Sequence, residues 1–73
     1  MRNFTYHGRI YVELYGTDAL TKVQVTTINY DKSITNKQMT VTTSQFERAL
    51  DGDQGVMQAI EWAYEDLAES GRI

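Results

Sequence analysis

Residues 4–14 alternate between two kinds of side chain with a period of two, and this alternation constrains the fold most strongly. The odd positions are mostly polar, and every even position is apolar or glycine: Phe4, Tyr6, Gly8, Ile10, Val12 and Leu14. Successive side chains of a strand point to opposite faces, so the pattern predicts a half-buried strand over residues 3–15. The pair His7-Gly8 also fits a two-residue hairpin turn that would set Tyr6 opposite Arg9. We favour one long strand, bent at Gly8, because it keeps the even apolar residues on one face.

Two further strands are predicted after a short turn. Residues 21–30 form a β-branched run, and Ile28 and Tyr30 fall out of phase with its first half. The slip indicates either a bulge near residues 26–27 or an early end of the strand. A polar loop over residues 31–36 and a third strand over residues 37–43 complete an antiparallel meander.

The chain then changes to a helical pattern. Ser44 and Glu47 fit a capping box, which predicts a helix over residues 45–50. Two glycines follow, and each would cost about 1 kcal/mol inside a helix, so a break is expected there. Asp53 then caps a longer helix over residues 54–69, and a glycine ends it.

The predicted fold is one α+β domain over residues 1–73. It is a three-stranded antiparallel β-meander followed by a short helix and a longer C-terminal helix packed on one face of the sheet. The predicted inner layer consists of Phe4, Tyr6, Ile10, Val12, Leu14, Val23, Val25, Met39, Val41, Phe46, Leu50, Val56, Ile60, Tyr64 and Leu67. In the order of its elements alone, this plan resembles the arm-binding domains of tyrosine integrases and some plant transcription-factor domains, which bind DNA with the sheet. The basic sheet residues of those families do not recur here as a set.

The composition limits the functions that this chain can have. It has no Cys and a single His, so we expect no disulfide, no metal site and no cysteine nucleophile. The serines have no second His or Lys placed to activate them, and residues 51–55 lack the ligands of a calcium loop. We therefore expect a protein without enzymatic activity or cofactor. No apolar segment reaches the length of a membrane span, which predicts a soluble, cytoplasmic protein.

The net charge of −3 is distributed unevenly along the chain. Residues 1–43 carry five basic and three acidic side chains, whereas residues 44–70 carry seven acidic side chains and one Arg. No further base occurs until Arg72. Carboxylates in the second half of the last helix oppose its macrodipole, so they forgo a small stabilisation.

Trp62 lies among these carboxylates on a helical wheel, away from the apolar stripe of the same helix. Either a loop or strand of the domain covers the indole or another molecule does. Trp is common at the energetic centre of interfaces, so we predict a partner-binding site formed by Trp62, Glu61, Glu65, Asp66 and Glu69. An aromatic side chain ringed by carboxylates suits a protein with a basic surface, including a groove that otherwise holds nucleic acid. The predicted function is a small protein-interaction module, for example a phage or mobile-element inhibitor of a host protein.

A second candidate surface follows from the odd positions of the first strand. Its members combine a base, a His and aromatic side chains: His7, Arg9, Tyr11 and Tyr15. Together with Lys22 and Lys37 they resemble a stacking platform for single-stranded nucleic acid, which is the alternative function. The same face would serve a homodimer with Tyr11 in the contact, or the tyrosines pack within the domain. The acidic second half of the chain opposes direct binding of nucleic acid.

Overall fold

The computed structural model describes residues 2–71, so Arg72 lies outside the described residues. The element order is β1 (Asn3–Tyr6), β2 (Arg9–Gly16), β3 (Leu20–Ile28), β4 (Ile34–Thr42), α1 (Thr43–Leu50) and α2 (Gln54–Glu69). The strands form one antiparallel sheet in sequence order. The prediction of an α+β fold with an antiparallel sheet followed by two helices is confirmed, but the sheet has four strands rather than three.

The fourth strand arises because the predicted long first strand is a hairpin. His7 and Gly8 have φ angles of 49° and 77°, which is the left-handed conformation that a tight two-residue turn requires at both positions. Tyr6 consequently pairs with Arg9, and Phe4 pairs with Tyr11. The prediction of one strand over residues 3–15 is wrong, because the turn reverses the chain and places even positions of β1 beside odd positions of β2.

This parity change exchanges the two faces of β2. Tyr11 joins the core, whereas Ile10 and Val12, which were predicted to be inward, lie on the opposite face of the sheet. Leu14, also predicted to be inward, lies at a break in the strand register and is not part of the core. The core of the described chain consists of Phe4, Tyr11, Val23, Val25, Met39, Val41, Phe46, Ala49, Ile60 and Tyr64. Tyr6, Leu50, Val56, Met57 and Leu67 pack against it in part. The inner layer predicted from β3, β4 and the helices is therefore correct, and the error is confined to β2.

The irregularity predicted near residues 26–27 lies elsewhere. β3 and β4 pair in unbroken register through Ile28 and Ile34, so β3 ends at Ile28, the second of the two predicted outcomes. Because that pairing continues to Ile34, β4 begins three residues before its predicted start, and the predicted loop over residues 31–36 is too long. The register breaks instead between Glu13 and Tyr15, where β2 contains a bulge. The bulge turns Tyr15 to the same face as Lys22, with which it pairs.

Helix α1 begins two residues before the predicted start. Thr42 is the N-cap: its hydroxyl accepts a hydrogen bond from the Gln45 N–H at 3.1 Å, and its own N–H donates to Gln45 Oε1 at 3.3 Å. The capping box predicted at Ser44 and Glu47 is therefore wrong. The Thr43 hydroxyl donates to the Thr17 carbonyl oxygen at 2.6 Å, which ties the strand-to-helix junction to the turn before β3.

Helix α2 follows the prediction at both ends. The Asp53 side chain accepts a hydrogen bond from the Val56 N–H at 3.2 Å, and Gly71 follows the last turn with a φ of 75°. Neither helix in the described part of the chain is long and apolar enough to cross a membrane.

Both helices pack on the inner face of the sheet and leave its other face without a covering helix. We call this second face the outer face. From the strand pairing it is formed by Asn3, Thr5, Ile10, Val12, Tyr15, Leu20, Lys22, Gln24, Thr26, Ile28, Ile34, Asn36, Gln38, Thr40 and Thr42.

Candidate functional site

Trp62 lies on the solvent side of α2, and 61% of its surface is exposed. Ile60 is in the core, and a step of about 100° per residue places Trp62 on the far side of the helix from it. The indole is therefore not covered by another part of the described domain, which was one of the two alternatives that the sequence left open. The side chains around the indole are small or acidic, and with it they form what we call the Trp62 surface: Ala59, Trp62, Ala63, Asp66 and Glu69, all exposed.

The Trp62 surface carries negative charge that no residue of the described chain pairs with. Asp66 and Glu69 have no ion-pair partner among residues 2–71, and the last turn of α2 contains no basic residue. The carbonyl end of the helix adds its own negative potential there. A cationic group approaching the indole therefore meets attraction from two carboxylates and from the helix dipole.

Glu61 and Glu65, also predicted for this site, are engaged inside the domain. Glu61 is buried, with Oε1 at 3.0 Å from His7 Nδ1 and Oε2 at 3.7 Å from Arg9 Nη1. Glu65 Oε1 accepts a hydrogen bond from Arg9 Nη1 at 3.1 Å. The five residues predicted for this site therefore do not form one surface. The β1–β2 hairpin brings His7 and Arg9 over one side of α2, where they contact Glu61 and Glu65.

These contacts form a polar cluster that fastens the β1–β2 hairpin to α2. The Arg9 guanidinium lies 5.3 Å from the centre of the Tyr64 ring, and the His7 ring stacks on Tyr6 at 3.9 Å. We call His7, Arg9, Glu61 and Glu65 the hairpin cluster. Among the described residues no group of three or more His, Asp or Glu side chains is arranged to hold a metal ion.

Tyr11 lies beneath the hairpin cluster and is fully buried. Its ring stacks on Phe4 at 4.8 Å, and its hydroxyl oxygen has no hydrogen-bond partner among residues 2–71. Burial raises the pKa of Tyr11 to about 12; the Glu61 carboxylate adds to the rise, and the Arg9 guanidinium opposes it. The folded protein therefore keeps this phenol neutral.

The second predicted surface does not exist as one face. His7 is in the turn, Arg9 and Tyr11 face the helices, and Tyr15, which is 68% exposed, is on the outer face. Tyr11 cannot contact a second molecule in the folded protein, so the predicted dimer contact at this residue is wrong.

The lysines are divided in the same way. Lys22 lies on the outer face, whereas Lys37 pairs with the buried Val25 and so faces the helices. The stacking platform proposed for nucleic acid is therefore not assembled on either side of the sheet.

The sequence interpretation missed the outer face itself. Its large apolar members are Ile10, Val12, Tyr15, Leu20, Ile28 and Ile34, and the last four are each more than half exposed. Lys22 is the one charged side chain on this face of the described strands. The His7-Gly8 hairpin was the signal that would have revealed it, because the hairpin reverses the parity of β2.

No protein-family model matches the chain, and neither does any curated protein or solved structure. The described chain has two candidate binding surfaces on opposite sides of the molecule, the Trp62 surface and the outer face.

Proposed function

We propose that this chain is a non-enzymatic protein-interaction module that binds a basic surface of a partner protein through the Trp62 surface. The observation that carries the proposal is a Trp that is 61% exposed beside two carboxylates without ion-pair partners in the described chain. Trp is the residue type most enriched among those that contribute 2 kcal/mol or more to an interface.

The neighbours of Trp62 favour a close approach by a partner. Ala59 and Ala63 are exposed and small, so they leave both sides of the indole accessible. An Arg or Lys of the partner can stack on the ring face, where a cation gains about 0.5–2 kcal/mol depending on desolvation.

The carboxylates favour the same partner. Asp66 and Glu69 oppose the macrodipole of α2 and forgo a few tenths of a kcal/mol each in the isolated domain. Bases of a partner would offset that loss and steer the encounter. Grooves that hold nucleic acid are lined with Lys and Arg, so an inhibitor that occupies such a groove is the form of this function that we propose.

Substitution of Trp62 by Ala tests the proposal. We expect affinity for the partner to fall by about thirtyfold or more, which corresponds to about 2 kcal/mol, because the anchor is lost. We expect the free energy of unfolding to change by less than about 0.5 kcal/mol, because the side chain is exposed. The measurements are a urea titration and capture of the partner from the source cells, followed by titration calorimetry with the purified partner.

Tyr30→Ala is the matched control, because Tyr30 is a fully exposed aromatic in the turn between β3 and β4. It should bind as the unmodified protein does. The double variant Asp66→Asn and Glu69→Gln should bind more slowly and lose most of the salt dependence of the association rate. Equal binding by Trp62→Ala and Tyr30→Ala would end the proposal, and so would a stability loss of about 3 kcal/mol in Trp62→Ala, which is expected of a core aromatic.

A further inference from the structure

The outer face combines exposed apolar side chains with a single charged side chain on the described strands, Lys22. Acidic side chains are absent from this face of the described sheet, although the chain has ten Asp and Glu residues. Depletion of charge together with exposed aliphatic and aromatic side chains is the composition of an interface core. We propose that the outer face is the interface of a homodimer in which two sheets pack face to face.

A second copy of this chain is the occupant that the charges favour. The chain has ten acidic and seven basic side chains, so a partner suited to the helices would be basic, whereas the outer face offers a single cation, Lys22, to a charged molecule. Two copies of a nearly neutral face meet without like-charge repulsion. The long side chain of Lys22 can extend to the rim of the contact.

The size of the face is sufficient. Its strands are 4, 8, 9 and 9 residues long, and at about 3.3 Å per residue and about 4.8 Å per strand they give roughly 480 Å² in projection. The accessible area of a side-chain surface exceeds its projection, so the face is comparable with the ~800 Å² per partner of a standard interface.

The two ends of the outer face both present exposed apolar side chains. One end contains a shallow depression of about 290 Å³, lined by Tyr15, Thr17, Leu20, Lys22 and Thr40. The other end carries Ile28 and Ile34, which pair with each other and are each more than 60% exposed. An aliphatic pair of this size suits the apolar wall that Tyr15 and Leu20 give to the depression.

A two-fold axis through the middle of the face brings these ends together. Gln24 is midway between Leu20 and Ile28 on β3, and it lies in one row with Val12 and Gln38 across the sheet. Rotation about an axis along that row places the Ile28 end of one copy over the Leu20 end of the other. Each member of the row then faces its own counterpart, as an isologous interface requires.

Gln24 and Gln38 therefore provide the test. Gln24→Glu combined with Gln38→Glu changes neither size nor shape, but it places four carboxylates at the two-fold axis. Gln54→Glu is the matched control, because Gln54 is exposed at the start of α2 on the helix side. The measurement is sedimentation equilibrium of the full chain from 1 to 500 μM, as an order-of-magnitude range for weak and strong dimers.

We expect the unmodified protein and Gln54→Glu to sediment as dimers of twice the chain mass of 8.4 kDa. The double variant should dissociate at concentrations at least tenfold higher than those at which the others do. A chain that stays at 8.4 kDa at every concentration overturns the proposal, and so does a dimer that is equally stable in all three proteins.

Cross-linking gives a second measurement that does not depend on how the double variant folds. The chain contains no Cys, so Gln24→Cys introduces a single thiol. A short bismaleimide should join two copies at Gln24→Cys, because the counterparts meet at the axis, and should leave Gln54→Cys monomeric. Equal cross-linking at both positions would contradict the assignment of the outer face.

Discussion

At the residue scale, Tyr11 shows how a position can look like a contact residue and be part of the core. The sequence offers it as an outward aromatic beside Arg9, but the structure buries it completely, with its hydroxyl lacking a hydrogen-bond partner in the described chain. A buried hydroxyl without a partner costs the desolvation of that group. Its surroundings also raise the pKa of Tyr11, so the stability of the protein should depend on pH in the alkaline range.

Tyr11→Phe should leave the protein as stable as before at pH 7 or slightly more stable, because it removes an unsatisfied hydroxyl. Between pH 10 and about 12 the unfolded chain releases the Tyr11 proton while the folded protein retains it, so stability falls as the pH rises. The free energy of unfolding should fall by about 3 kcal/mol in total over this range because of Tyr11, and Tyr11→Phe should not show this loss. Urea titrations at pH 7 and across the alkaline range measure it.

Tyr15→Phe is the control for this experiment, because it removes the hydroxyl of a tyrosine that is 68% exposed and lies outside the core. If Tyr11→Phe and the unmodified protein lose stability in parallel above pH 10, the phenol is not held neutral by the fold.

The same scale explains the division of the predicted acidic site. A helical wheel places Glu65 close to Trp62, and the sequence gives no sign that Arg9 approaches from another element. Trp62, Asp66 and Glu69 could be predicted to be exposed from α2 alone. The engagement of Glu61 and Glu65 depends on a contact between residues more than fifty positions apart, which local pattern does not encode.

At the element scale, β3, β4 and both helices were predictable, and β2 was not. Periodicity identifies a strand, but it does not identify which face is inward when both sets of positions contain large side chains. In β2 the even positions are aliphatic and the odd positions include Tyr11, so the hairpin turn alone decides the orientation. The wrong choice of one long strand instead of a hairpin at His7-Gly8 therefore caused the errors in the predicted core and in both predicted surfaces.

The start of α1 gives a second comparison at this scale. Thr42→Ala should cost about 1 kcal/mol of stability, because it removes the side-chain oxygen that accepts from the Gln45 N–H. Ser44→Ala should be close to neutral, because Ser44 is exposed within the first turn. Thermal and urea unfolding of the two variants compare them directly. The opposite order would show that the cap lies at Ser44.

At the scale of the whole molecule, the charge distribution disfavours binding to nucleic acid. Residues 44–70 are strongly acidic, and the outer face supplies one cation, Lys22. Affinity for phosphates grows with the number of cations that contact them. We expect no sub-micromolar binding of short DNA or RNA in fluorescence anisotropy at moderate salt, and no change in the signal for Lys22→Ala. Tight binding that weakens steeply with salt would favour a nucleic-acid function instead.

Because both helices pack on one side of the sheet, Trp62 and the outer face point in opposite directions. Occupation of either surface leaves the other open. A dimer joined through its sheets would therefore carry two indoles that point away from each other, and would bridge two partner molecules. Bridging would depend on the concentration of the protein itself, and a variant that stays monomeric would bind one partner molecule at a time with unchanged single-site affinity.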